Sequence, residues 1–497
     1  MAKGLITSTI PAFAPTASVF GQISNGGMTM LNTFTKSAMN AITKSVVFSL
    51  SVGLIALLPG CDRWVDTSLN VNPNNPADVS LNLLLPAVEG SLAWQHGSDP
   101  SRFASLYTQH HSGVDRQHLG YYADYSLGEG DIDNYWQNIY RIMGNCNTLI
   151  KKADAQQSPH YAGIARILMA YSIGLVTDGF GDVPFSEAFQ GQANTHPKFD
   201  QQQLIYLTIG RLLDTALQNL NAAQSVFKPG ADDYFYGGDL AKWKKAAYAL
   251  KARYAIHLTK RDAANAAAAA LSFLPNAFAD NSDDLVMRFG TSVTNANPLY
   301  GFDQDRHDIR IAPFFARLLN RLQDPRRPMI GATPKRPTDS IPNDDELGSF
   351  YASINSPVVL LSYAEQKFIE AEAKFRTGDL SGAKTAYQDA IRASMQWFGV
   401  ADADVATYLA NPDVVPSGDI TLAHIMTQKY IALYTQFESW TDWRRTDIPT
   451  LTPLTGNRIP RRFPLPQSER LFNKQNIPPG STSADWKFTP MWWDQGP

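Results

Sequence analysis

A mainly α-helical fold built from paired helices is what this chain predicts, and three observations carry the prediction. Apolar residues recur at helical spacing along most of the sequence. Strand signals are few and short, Leu285-Val286-Met287 being typical. Small and large residues also alternate at spacings of three and four across adjoining segments, as in tetratricopeptide helix pairs, where alanines let two helices approach closely.

The first 60 residues stand apart. Lys44 precedes an uncharged apolar run from Ser45 to Leu58, which closes on Pro59-Gly60-Cys61. A charged start, an apolar stretch and small residues at a cut site describe a secretory signal. A run of about 14 residues falls short of the roughly 20 needed to span a bilayer. Cys61 sits where a bacterial lipobox places the cysteine that is acylated after cleavage. Residues 1–38 are long and rich in Ser, Thr and Gly for a signal, and Met39 makes a more ordinary start. Residues 1–60 are therefore read as a leader cleaved before Cys61, and 61–497 as a single domain.

The periodicity predicts helices over 81–94, 101–112, 133–153, 159–176, 201–223, 240–260, 262–272, 312–322, 357–376, 380–397, 403–409 and 419–440. Asp131-Ile132-Asp133-Asn134 reads as the cap of the helix starting near Asn134. Gly179-Phe180-Gly181-Asp182-Val183-Pro184 reads as a helix stop, glycine permitting positive φ and proline forbidding continuation. The chain turns at Gly378-Asp379, with Ala371 before the turn and Ala383, Tyr387 and Ala390 after it; 241–272 offers a looser second copy. Between the helices lie long loops, 177–200, 224–239, 273–311, 323–356 and 445–497, and loops of that length are commonly functional. The Trp-bearing end (Trp486, Trp492, Trp493) reads as a strap packed on a surface.

Charge and cysteines narrow the class. The leader holds Lys3, Lys36 and Lys44 and no acid, so residues 61–497 keep 40 basic against 46 acidic residues, a net charge of −6. No Lys/Arg run resembles a nucleic-acid footprint. With Cys61 acylated, only Cys146 remains, so an internal disulfide is impossible and a buried inert thiol is expected. There is no GxSxG, no phosphate-binding glycine loop and no cysteine–histidine constellation, and acids stand in no motif with a stated partner. His110, His111 and His118 lie near Asp115, Asp124 and Asp131, but without three or four convergent ligands they make no zinc site. They read as exposed loop histidines, and no metal or cofactor is expected.

Four segments, taken together and in order, resemble the SusD-like (SusD/RagB) family of Bacteroidetes outer-membrane lipoproteins. They are Trp136-Gln137-Asn138-Ile139-Tyr140 with Asn145 and Asn147; Asp178 to Ala188; residues 362–391; and residues 429–449 followed by Arg461-Arg462-Phe463-Pro464 and Glu469. An early Asn72-Pro73-Asn74 turn fits as well. The resemblance implies a tetratricopeptide-like scaffold with long irregular ligand-facing loops, and no catalysis. It further implies a lipid-anchored lid, facing the exterior, on a SusC-like TonB-dependent channel, to which oligosaccharide or oligopeptide is delivered. Within Glu438-Ser439-Trp440-Thr441-Asp442-Trp443-Arg444-Arg445, helical spacing predicts a structural salt-bridge network rather than a ligand site.

Ligand contacts are expected instead from aromatic and polar residues in irregular segments: Trp94, Tyr121, Tyr122, Tyr125, Asn297, Tyr300, Phe302 and Arg306. Aromatic faces stack on apolar sugar faces while amides and guanidiniums fix hydroxyl or peptide groups. Two other classes stay open at this point. A surface hydrolase of glycosidase type would need a carboxylate pair flanking the sugar. A tetratricopeptide adaptor would read protein partners on a concave helical face.

Overall fold

Residues 79–332 and 345–496 are described by the computed structural model. The leader, Cys61 and the Asn72-Pro73-Asn74 turn lie outside the described residues.

The described residues open with α1 (Leu81–His96) and α2 (Asp99–Tyr107), then the short strand β1 (His111–Gly113) and α3 (Arg116–Ala123). Three long helices follow: α4 (Glu129–Ala155), α5 (Pro159–Phe180) and, after β2 (Val183–Pro184) and β3 (Phe199–Asp200), α6 (Gln202–Leu220). Helix α5 is long and apolar enough to cross a bilayer, yet it is almost wholly buried within the protein, as the central core helix. Next come α7 (Leu240–His257) and α8 (Ala263–Phe273), then β4 (Leu285–Met287), α9 (Pro298–Arg306), β5 (Ile309–Ile311), α10 (Pro313–Leu322) and α11 (Arg327–Ile330). The strands β6 (Gly331–Ala332), β7 (Glu346–Leu347) and β8 (Val358–Leu361) lead to the pair α12 (Tyr363–Arg376) and α13 (Leu380–Trp397). The chain ends through α14 (Asp402–Ala410), α15 (Leu422–Ala432), α16 (Glu438–Thr446) and α17 (Gln467–Phe472).

The expected pairing is present. Ala371, Ala383, Tyr387 and Ala390 are fully buried between α12 and α13. The turn between them is held by positive φ at Gly378 and by Asp379, whose carboxylate accepts from the Gly382 N–H at 2.9 Å. The second copy, α7–α8, joins the first through a contact of mostly small residues: Ala252, Ala267, Ala270 and Ala373 with Ile256 and Ile369. Small side chains let the backbones close in, so each pair buries the apolar face the next one leaves open. Cys146 is buried, and burial pushes its thiol well up, as expected of an inert core cysteine.

Several boundaries differ from those the sequence predicts, each for a local reason. The span 357–376 is not one helix. Its β-branched start pairs antiparallel with β4 (Leu285 opposite Leu361, Met287 opposite Val358), and Ser362 then caps α12 by accepting from the Glu365 N–H at 3.1 Å. The span 419–440 breaks at Thr435, which takes φ +65°, into α15 and α16. His111–Gly113 leaves the helical path to pair with Ile309–Ile311. Helices α3 and α9 occupy stretches that read as loop. Helix α4 begins five residues before Asn134, and Asp131 serves its first turn by accepting from the Gly128 N–H at 2.8 Å. The C-terminal strap is real: Met491 and Trp493 are buried, and Asp494 pairs with Lys260 at 2.9 Å and Arg461 at 2.5 Å.

Two glycines make the packing testable. A Cβ on Gly174 would sit 1.9 Å from the Tyr254 hydroxyl, whereas one on Gly210 would meet nothing within 4 Å. Gly174→Ala should cost about 1–3 kcal/mol by overpacking. Gly210→Ala should add roughly 0.5–1 kcal/mol by restricting the unfolded chain and favouring helix. Urea unfolding of both variants checks the opposite signs.

Candidate functional site

The eight residues singled out for ligand contact gather around α1, α3, α9 and the loop after α16, but they divide by burial. Asn297 is interior: it caps α9 by accepting from the Leu299 and Tyr300 N–H groups at 2.8 and 3.0 Å, and its amide donates to the Ser356 carbonyl at 2.8 Å. Tyr121 and Tyr125 are interior as well. The Tyr121 hydroxyl donates to Asp131 at 2.5 Å, and the Tyr125 hydroxyl accepts from the Leu454 N–H at 3.1 Å. Phe302 is half-buried, its ring stacked under the Arg102 guanidinium at 3.8 Å and edge-on to His118. Arg306 donates to Asp308 at 2.8 Å and to Gln117 at 2.7 Å, which ties α9 to α3. Three side chains keep accessible surface without such an internal bond: Trp94, 49% exposed, and the half-buried Tyr122 and Tyr300.

The elements that carry these side chains are in contact with one another. The end of α1 abuts the start of α9, since a Cβ on Gly97 would lie 2.9 Å from Pro298. Helix α9 joins α3 through Arg306 and through Arg116, which donates to the Arg306 carbonyl at 2.8 Å. Tyr122, at the end of α3, lies close enough to Arg317 of α10 to feel its charge; burial nevertheless dominates and pushes the phenol up to about 12. Arg317 and Arg321 in turn line a groove of about 430 Å³ between α10 and the Ile448-Pro449-Thr450 stretch. That volume falls in the range of roughly 300–1,000 Å³ typical of small-molecule sites. The groove was not among the sequence expectations, although its signal was there: two arginines four apart on a helix with no acid of its own.

Beneath this face lies a buried carboxylate. Asp308 binds Arg306, Arg116 (2.5 Å) and His118 (3.1 Å). Burial disfavours its charge, but the Arg306 and Arg116 guanidiniums outweigh that and hold the carboxyl below its usual range. Among the described residues, no group of three or more His, Cys, Asp and Glu converges to hold a metal ion.

A family model described as "Starch-binding associating with outer membrane" and named SusD-like matches residues 73–466. The chain belongs to the SusD-like family. A solved SusD/RagB family protein from Bacteroides thetaiotaomicron is 25% identical, with a TM-score of 0.70 over 84% of this chain and 100% of that one. A chitin-binding protein is also 25% identical, with a TM-score of 0.67 over 83% of this chain and 99% of its own. A chitin-binding SusD homolog from Flavobacterium johnsoniae shares the fold at 21% identity and a TM-score of 0.66, over 82% of this chain and 98% of that one. No curated protein matches the chain.

The four SusD-like segments meet mainly in the interior, although the end of the fourth, Ile448 and Pro449, lines the α10 groove. Trp136 donates to Glu469 at 3.0 Å, and the Phe463 N–H donates to the Gly179 carbonyl at 2.8 Å. Arg444 lies against the Trp440 ring at 3.7 Å and donates to the Asp178 carbonyl at 2.6 Å. Arg445 binds Glu372 through two bonds of 2.9 and 2.8 Å and Asp442 at 2.6 Å, and Lys429 closes on Asp442 at 2.7 Å. Glu438 binds His257 at 2.7 Å, and Arg253 binds Glu365 at 2.5–2.6 Å. The salt-bridge reading of residues 438–445 is therefore correct, with Trp440 and Trp443 buried beside it.

The histidines correct one expectation. His110, His111 and His118 are buried rather than exposed: His111 lies on β1, which pairs with β5, His110 stacks on Tyr430, and His118 packs against Phe302 and Asp308. Burial lowers their pKa values, to about 3 for His111 and about 4 for His118, with Arg102 adding to both, and well below normal for His110; His96 is likewise brought to about 3. His257 goes the other way. Burial opposes its charge, but Glu438 and Asp178 outweigh it and raise the imidazole to about 9. The first group contributes stability that is present above pH 6.5 and lost as pH falls towards 4. His257 contributes stability that is present below 6.5 and lost as pH rises through about 9. The melting temperature should therefore peak near neutrality. Each buried neutral histidine should steepen the acid side by about 1.4 kcal/mol per pH unit. His257→Gln should lower the melting point at pH 6 and flatten the alkaline decline, as scanning calorimetry from pH 4 to 9 would read.

Proposed function

We propose that this SusD-like chain is a cell-surface glycan-binding lipoprotein, anchored through Cys61 in the outer membrane and facing outward. It captures oligosaccharide and delivers it to a SusC-like TonB-dependent channel. What supports the reading is the accessible aromatic side chains Trp94, Tyr300 and Tyr122, carried by elements that contact one another, together with the groove beside α10, on a SusD-like scaffold whose charges are paired inside. Rigid helices that present accessible aromatic side chains suit capture and release rather than covalent chemistry. Glycan is favoured over oligopeptide by the family description and by the chitin-binding relatives.

A hydrolase gains no support from the interior acids with raised pKa values. Burial lifts Asp284 to about 8, but it lines a cavity of about 20 Å³, enough for a water and far too small for a sugar. Glu89, raised by burial and by Asp233, accepts from the Tyr234 N–H at 2.7 Å inside the protein.

Titration calorimetry of residues 61–497 with chitin and starch oligomers, with the sugars re-analysed afterwards, tests the reading. Saturable binding with intact sugar is expected, and Trp94→Ala combined with Tyr300→Ala should weaken it tenfold or more, about 1.4 kcal/mol. Cleaved sugar would overturn the binding role, and binding of peptides alone would overturn the glycan. Cys61→Ala should release the protein from the outer-membrane fraction, and co-purification of a channel subunit with the wild type checks the delivery step.

A further inference from the structure

The groove beside α10 has a charge that the rest of the protein does not answer. Arg317 and Arg321, four residues apart, leave the same face of the helix, and both are exposed. Among the described residues neither has a carboxylate partner, in contrast to the many paired arginines elsewhere in the chain. The acid nearest in sequence on the opposite wall is Asp447, and it is already engaged by Arg461 at 3.0 Å and Lys260 at 3.6 Å. The other lining residues are Phe314 and Leu318 on α10, Ala423 and Thr427 on α15, and Ile448, Pro449 and Thr450 across from α10, apolar apart from the two threonine hydroxyls.

Resting on the glycan-binding reading above, we propose that this groove selects acidic sugars, taking the carboxylate of a uronic-acid unit between Arg317 and Arg321 while the apolar ring face packs on Phe314 and Pro449. A planar carboxylate matches the guanidinium fork, and a charge-assisted pair on a partly dry wall is stronger than a bond to a neutral hydroxyl. The same groove suits an acidic peptide poorly. An extended peptide binds through main-chain bonds to a strand edge. Here one wall is a helix with its backbone bonds satisfied internally, and the other carries Pro449, which has no N–H to offer.

The test uses tetramers of galacturonate, mannuronate and glucuronate together with their carboxyl-reduced, neutral counterparts, titrated into residues 61–497. At least one acidic tetramer should bind about tenfold or more tighter than its reduced form, with a preference that shrinks as salt is raised. In the double variant Arg317→Gln, Arg321→Gln, whose exposed positions should leave the melting temperature unchanged, the acid-to-neutral ratio should fall to near one. Equal affinity for acidic and reduced forms, or a ratio unchanged in the double variant, overturns the acidic-sugar assignment alone and leaves glycan binding standing. Failure of every tetramer, of chitin oligomers and of starch oligomers to bind, with or without capture of an acidic peptide, overturns both.

Discussion

The contact of Arg445 with Glu372 and Asp442 is the interaction on which the arrangement of the helices depends. All three side chains are fully or almost fully buried. Taking such charges out of water costs several kcal/mol per ion, and only close, well-hydrogen-bonded partners offset it. Here the geometry supplies them. Arg445 makes two bonds to Glu372 and one to Asp442, Arg376 adds to Glu372 at 2.8 Å, Lys429 adds to Asp442, and the Thr259 hydroxyl accepts from Arg445 at 2.8 Å. Burial alone would raise Glu372; Arg445 and its neighbours instead hold it at about 2. One guanidinium thus ties α16 to α12 and to the turn after α7, and Lys429 brings in α15 through Asp442.

A second cluster extends the lock. Glu438 on α16 reaches His257 on α7, His257 lies 3.4 Å from Asp178 on α5, and the Tyr206 hydroxyl on α6 donates to Asp178 at 2.6 Å. Arg444, one residue before Arg445, holds the end of α5 and the Arg461 carbonyl at 3.0 Å, and Arg461 holds Asp494 of the strap. The physical consequence is a division of labour. Charge that could attract a ligand is neutralised inside, where it sets the positions of helices. The accessible polar and aromatic groups lie at helix ends and in loops that this frame carries. The SusD-like segments belong to the frame except where the fourth ends at Ile448-Pro449, which is why they mark the family without naming a ligand.

How far this was legible follows from the kind of signal each part leaves. The α12–α13 pair was readable because Ala371, Ala383, Tyr387 and Ala390 repeat at the spacing that packs two helices, and residues 438–445 because alternating charges on a buried turn demand partners. Strand β8 was not, since Pro357-Val358-Val359-Leu360-Leu361 is an apolar run whose periodicity fits helix and strand alike; only its pairing with β4 decides. The residues expected to touch ligand divide by burial. Trp94, Tyr122 and Tyr300 keep accessible surface, whereas Asn297, Tyr121 and Tyr125 carry the same residue types but are buried and serve internal hydrogen bonds. Burial within an irregular stretch is a tertiary property with no period of its own. The histidines of 110–118 were misread for that reason, and the α10 groove was missed because its far wall comes from residues more than a hundred positions away.

The central claim, that buried charge positions the helices while ligand recognition lies outside it, is tested most directly at Arg445. Arg445→Met should lower the unfolding free energy by about 3–5 kcal/mol, because Glu372 and Asp442 are left buried without their partner. At a temperature where the variant remains folded, its affinity for the best-binding oligosaccharide should stay within about twofold of wild type. A loss of stability below about 1 kcal/mol, or a variant of near wild-type stability that no longer binds sugar, would contradict the account.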